Sequence, residues 1–142
     1  MKPVVLCLPA ETDFHDPGPE ETARRSVELL PAWDGRPAAI IGWSEGGYEA
    51  LRLAATHAGE VDRLVLVAVP APDDRQPPPG ISVLSAKTLL LFGNADPRTG
   101  SAHGRWWQRH LPSARLEMVP GGGHDLLESM WGRILAHAAP GR

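Results

Sequence analysis

The sequence predicts an α/β fold built on a parallel sheet, and three observations carry that expectation. Short β-prone apolar runs alternate along the chain with stretches of helical periodicity. The most apolar run, Leu64-Val65-Leu66-Val67-Ala68-Val69, lacks polar alternation, as a strand buried on both faces requires. A further run, Ala39-Ile40-Ile41-Gly42, passes directly into a tight turn with a serine at its tip and then into a helical stretch.

The elements follow in order. Residues 4–8 are a strand ending at Pro9. Residues 10–19 form a polar loop whose Asp13, His15 and Asp16 match no metal-ligand spacing. Residues 20–31 are expected to be one helix, with Glu20 and Glu21 at its positive end and Ala23, Val27 and Leu30 on one face. After a turn at Asp34-Gly35-Arg36-Pro37, residues 38–43 are the second strand. Residues 46–58 are a helix with an Ala50, Leu51, Ala54, Ala55 stripe, ended by Gly59. The run Val61–Val69 is the third strand. Pro70 to Gly80 holds five prolines and is an irregular connection. Residues 87–93 are the fourth strand, 101–111 a helix with Trp106 and Trp107, and 114–119 a shorter fifth strand. Residues 125–138 close the chain as a helix with Leu126, Leu127, Met130, Ile134 and Leu135 inward.

Composition narrows the function. A chain of 142 residues with 42% hydrophobic residues suits one domain, 1–142, around one core. The net charge of −3, with no basic stripe, argues against a nucleic-acid partner. No apolar run nears the roughly 20 residues needed to cross a membrane, so no membrane partner is expected. The apolar start, Met1 to Pro9, has no small-residue cleavage site and is taken as a strand rather than a leader. The lone Cys7 forms no internal disulfide, which fits a cytoplasmic protein.

The chemistry centres on the serine turn. A serine hydroxyl needs a base to take its proton and donors to hold the oxyanion that forms. A strand-to-helix turn supplies a free N–H after the serine and the positive end of a helix. Gly42 and Gly46 flank Ser44 at Gly-x-Ser-x-Gly spacing, and Gly47 gives further room. An ordinary serine N-cap would satisfy the same local pattern. A base and its orienting acid are expected at the ends of later strands. Asp96 follows strand 87–93 and His124 follows strand 114–119, in the order Ser, Asp, His. Asp125, beside His124, is the rival acid and is expected to cap the last helix. His15, His103 and His110 are expected at the surface.

With these residues in place, the chain resembles the α/β-hydrolase fold family over most of its length. The resemblance rests on Gly42-Trp43-Ser44-Glu45-Gly46-Gly47, Gly93-Asn94-Ala95-Asp96-Pro97 and Gly122-Gly123-His124-Asp125. It implies a catalytic triad of Ser44, Asp96 and His124, with the backbone N–H of Glu45 as one oxyanion donor and no cofactor or metal. The hexapeptide at the serine is also similar to that of amino-acid ester hydrolases related to biphenyl hydrolase-like proteins. Where the family has a His-Gly pair after its third strand, this chain has Leu8-Pro9-Ala10-Glu11-Thr12, so the second oxyanion donor falls to the N–H of Glu11. Glu11 and Glu45 either lie beside the nucleophile, favouring cationic over anionic substrates, or point to solvent.

The family's first, second and fourth strands have no evident counterpart, and only Pro70 to Gly80 stands where a cap domain is inserted. The expectation is therefore a reduced, capless fold of about five parallel strands. Taken in sequential order, those strands place their connecting helices on one face. That leaves part of the other face for a second copy of the chain, hence a homodimer, with the edge of the first strand as another contact. The functional expectation is a serine hydrolase of a small-molecule carboxylic ester or thioester. The alternative is a non-catalytic or weakly active ligand-binding protein on a reduced hydrolase scaffold.

Overall fold

In a computed structural model, residues 1–141 are described. Six strands form one sheet, in the order β2-β1-β3-β4-β5-β6, all parallel. They are β1 (Lys2–Cys7), β2 (Val27–Leu30), β3 (Ala39–Trp43), β4 (Arg63–Val67), β5 (Lys87–Gly93) and β6 (Ala114–Val119). The helices are α1 (Pro19–Arg24), α2 (Gly46–Thr56), α3 (Gly100–His110), α4 (Leu126–Ser129) and α5 (Trp131–Ala138).

The expected helix over residues 20–31 is two elements. The helix ends at Arg24, Ser26 takes a left-handed φ of 56°, and the chain leaves as β2, pairing Lys2 with Val27 through Val5 with Leu30. Pairing with β1 buries Val27 and half-buries Leu29 and Leu30, while Ala23 stays exposed on α1. β2 is thus a sixth strand beyond the five expected. It is β2, not β1, that forms this edge of the sheet.

This extra strand changes how the sheet is covered. The chain steps outward from β1 to β2, then back across β1 to β3, and continues in the other direction. Reversing the direction of a right-handed crossover reverses the face on which its helix lies. So α1, in the reversed β1–β2 connection, lies on the opposite side from α2 and α3, which pack over Val5, Ile40, Leu64, Leu66, Leu90 and Phe92. The opposite face, bearing Val4, Ile41, Val65, Val67, Leu89 and Leu91, is covered by α4 and α5. There Trp131 of α5 stands against Phe14 and donates from its indole N–H to the Thr22 hydroxyl of α1 at 3.0 Å. The four inner strands are therefore buried over most of their length within one chain, while β2 and β6 at the edges are largely half-buried.

The last helix is broken at Met130, which separates α4 from α5. The proline-rich segment is tied to the body at its start, and most of residues 73–80 are exposed. The Tyr48 hydroxyl donates to the Pro70 carbonyl at 2.6 Å, and the Trp107 indole to that of Val69 at 2.8 Å. No helix among the described residues is long and apolar enough to cross a membrane.

Candidate active site

All six strands point the same way, so the segments leaving their C-terminal ends gather along one edge of the sheet. The strand order reverses at β1, and in open parallel sheets a crevice forms at such a switch point. Ser44 leaves β3 beside it, Asp96 follows β5 and His124 follows β6.

The turn at Ser44 is strained. Its φ of 54° is left-handed, a region costly for a side-chain-bearing residue. The surroundings over-determine it: Ser44 N–H donates to Val67 O at 2.9 Å, and Gly47 N–H to Ser44 O at 3.0 Å. Gly46 lies against the end of β1, where a Cβ would overlap the carbonyl of Cys7. Close approach, rather than flexibility, is what demands glycine here.

Ser44 Oγ lies 2.9 Å from His124 Nε2, and His124 Nδ1 lies 2.8 Å from Asp96 Oδ2. Asp96 also accepts from the Thr99 hydroxyl at 2.7 Å and the Arg98 N–H at 2.8 Å. Burial works to raise its carboxyl pKa, but the hydrogen bonds from Thr99, His124 and Arg98 outweigh it and hold the group below the usual range. An ionised carboxylate only accepts, so the proton in the Asp96–His124 bond sits on Nδ1, and Nε2 presents its lone pair towards Ser44. Two further bonds fix this geometry. The Trp43 indole donates to the His124 carbonyl at 3.0 Å, and Ala95 N–H donates to Gly122 O at 2.8 Å, tying the Asp96 loop to the His124 loop. Gly93 permits that tie, since a Cβ there would overlap Gly122 O.

Asp125, the rival acid, is exposed at the start of α4 and makes no side-chain cap bond. His103 is half-buried rather than at the surface, with Nδ1 accepting from Ala71 N–H at 2.8 Å. Glu11 is exposed in the turn after β1, where Thr12 N–H donates to Pro9 O at 3.3 Å, and its φ is 62°. Among the described residues, that turn leaves the Glu11 N–H, like that of Glu45, without a backbone acceptor.

Arg98 is the residue that sequence reasoning missed. Its guanidinium pairs with the Glu45 carboxylate and reaches His124 Nε2 at 3.2 Å and Ser44 Oγ at 3.5 Å. Glu45 Oε1 in turn accepts from the Ser44 hydroxyl at 2.7 Å. That bond, the Arg98 guanidinium and Glu45's own N–H outweigh desolvation and hold the Glu45 pKa down to about 2. Ser44 is only 1% exposed, while the side chains of Arg98 and Glu45 above it are about half exposed, at 50% and 51%. Glu45 therefore lies beside the serine, as one expectation had it, but its charge is matched by a cation. Apart from the Asp-x-x-Thr spacing that returns Thr99 to Asp96, no local pattern signals these partners.

No protein-family model matches the chain, and no curated protein is similar to it in sequence. Solved structures are similar in shape. An α/β hydrolase enzyme from the metagenome of lagoon sediments of Mar Chica, Morocco, superposes with a TM-score of 0.77 at 14% identity, over 94% of this chain and 87% of that one. An esterase from a Rhodococcus species gives 0.68 at 14% identity, over 95% and 88%. A thermophilic esterase from Thermogutta terrifontis gives 0.68 at 14% identity, over 94% and 86%. At such identities the similarity concerns the fold, and it agrees with the strand order and the serine turn: the protein has the α/β-hydrolase fold, in a short form without a cap domain.

Proposed function

We propose that the protein is a serine hydrolase that cleaves a carboxylic ester or thioester through an acyl-enzyme on Ser44, with no metal or cofactor. The observation that carries this reading is the placement of Ser44 Oγ 2.9 Å from His124 Nε2 and of His124 Nδ1 2.8 Å from the Asp96 carboxylate. In the first step Oγ bonds to the scissile carbonyl carbon as its proton passes to His124 Nε2. Asp96 stabilises the imidazolium through Nδ1. The carbonyl oxygen gains the negative charge, and the N–H groups of Glu45 and Glu11 are the donors assigned to it. Collapse expels the alcohol or thiol, which takes the proton from Nε2. Water then repeats the sequence on the acyl-enzyme and releases the acid.

One observation favours the alternative of a ligand-binding protein with little turnover: Arg98 donates to the Nε2 lone pair that must receive the Ser44 proton. A panel of short and long acyl esters and thioesters, run with wild type and Ser44→Ala, separates the two. Turnover abolished by Ser44→Ala supports the hydrolase. Turnover equal in both proteins, or ligand binding with no turnover at all, contradicts it.

A further inference from the structure

The contacts over Ser44 contain a conflict that bears on the substrate. The serine hydroxyl has one proton and two acceptors, Glu45 Oε1 at 2.7 Å and His124 Nε2 at 2.9 Å. The Nε2 lone pair also has two donors, Ser44 Oγ and Arg98 Nη1 at 3.2 Å. In the satisfied arrangement Ser44 donates to Glu45 and Arg98 donates to His124. The hydroxyl then faces away from its base and the base is capped. Productive proton transfer needs both side chains to move, and with half their surface in solvent they are free to do so.

The Glu45 carboxylate meets a hydroxyl, a guanidinium and its own backbone N–H. These are the partners that a carboxylate from outside would meet at the same place. Guanidinium is well matched to carboxylate, because its parallel N–H groups engage both oxygens. Ion pairs this exposed are also weak enough to exchange partners.

We propose that Arg98 binds a carboxylate carried by the substrate, and that Glu45 is the internal stand-in which that carboxylate displaces. This rests on the hydrolase reading above and names its substrate class: short esters with a carboxylate near the scissile carbonyl. Arg98 Nη1 is 3.5 Å from Ser44 Oγ. With a charge-assisted bond of about 2.8 Å, the substrate carboxylate falls within roughly 6 Å of the attacking oxygen. A half-ester of a dicarboxylic acid four or five carbons long spans that gap from the acyl side. A short hydroxy acid spans it from the alcohol side. Binding draws Arg98 off Nε2 and releases Glu45 from Ser44, so the correct substrate uncaps the relay. This reverses the expectation that acidic residues here favour cations.

The test compares kcat/KM for monoethyl glutarate, ethyl pentanoate, the ethyl ester of 4-(trimethylammonio)butyrate, and the pentanoyl ester of glycolate, followed by pH-stat. At least one carboxylate-bearing ester is expected to exceed ethyl pentanoate by about fivefold, the upper scale of a partly exposed charge pair. Which of the two does so places the carboxylate on the acyl or the alcohol side. Arg98→Gln brings the ratio to about one, mainly through KM, Arg98→Lys keeps part of it, and Glu45→Gln raises it. A ratio of one in wild type, a ratio unmoved by Arg98→Gln, or a preference for the trimethylammonium ester overturns the assignment. A fluorophosphonate label runs alongside: Ser44 labelled with a flat ratio defeats only the role of Arg98, whereas no labelling defeats the hydrolase reading itself.

Discussion

Arg98 and Ser44 reach the same atom, Nε2 of His124, from 3.2 and 2.9 Å. A ring nitrogen with one lone pair accepts one good hydrogen bond, so the resting site holds its nucleophile and its cation in competition. The loops that create this competition also hold the relay together, and several consequences can be measured.

Asp96→Asn replaces an acceptor-only group with an amide and removes the preference for a proton on Nδ1. Hydrolysis is expected to fall by about 10³ to 10⁴ in kcat with KM little changed. The pH dependence of stability follows from the lowered pKa. The native Asp96 contribution is fully present above the ordinary carboxylate value of 3.8 and is lost as pH falls through its lower folded value. The stability gap between wild type and Asp96→Asn should therefore narrow below about pH 4, as read by urea melts between pH 3 and 7.

Thr99→Val keeps the shape of the side chain but deletes its bond to Asp96 Oδ2. Thr99 and Asp96 are both buried, so the carboxylate loses a donor that water does not readily replace. Stability should fall by about 1–2 kcal/mol, with a loss of about tenfold in kcat as the carboxylate is freed to turn.

Gly93→Ala places a Cβ on the carbonyl of Gly122 and separates the two loops joined by Ala95 N–H. A displacement of about 1 Å between acid and base costs on the order of 100-fold in rate. Circular dichroism should report a retained sheet while ester hydrolysis is lost. Full activity would mean that the loops are not held as described.

Ser26→Gly tests the break between α1 and β2. A residue at φ 56° pays a left-handed penalty that glycine avoids. The variant should gain about 1 kcal/mol, or roughly 3–4 °C in Tm. A loss of stability would argue against the break.

Cys7 lies at the end of β1, 6% exposed, with burial pushing its thiol up to about 12. The raised value means that this neutral thiol adds stability in full below the ordinary value of 9.0, and that the contribution disappears as pH rises towards about 12. A thiol reagent at pH 8 should leave the folded protein unmodified and react once it is unfolded in urea.

The serine turn, the two later strand ends and the residues on them were legible in the sequence because each is a local pattern. A strand run, a glycine pair and a polar residue at the strand's end lie within a few positions of one another. The reversal of strand order was not legible. Val27 and Leu30 fit a helical stripe as well as a strand, and only pairing with β1 decides between them. That one misreading also removed the reason for α1 to join α5 on the second face. Arg98 was hidden for a different cause. Its partners Glu45 and His124 lie 53 and 26 residues away, and nothing local marks an arginine that folds back over a serine. The tryptophans show the same limit. Trp107 is core and Trp33 stacks on His57, whereas Trp43 steadies the His124 backbone.

The assignment of Ser44 as nucleophile is tested most directly by intact-protein mass spectrometry after treatment with a fluorophosphonate. A single adduct is expected, mapped to Ser44, absent in Ser44→Ala and formed at least about 100-fold more slowly in His124→Ala. No adduct, an adduct on another residue, or a labelling rate unchanged by His124→Ala would contradict it.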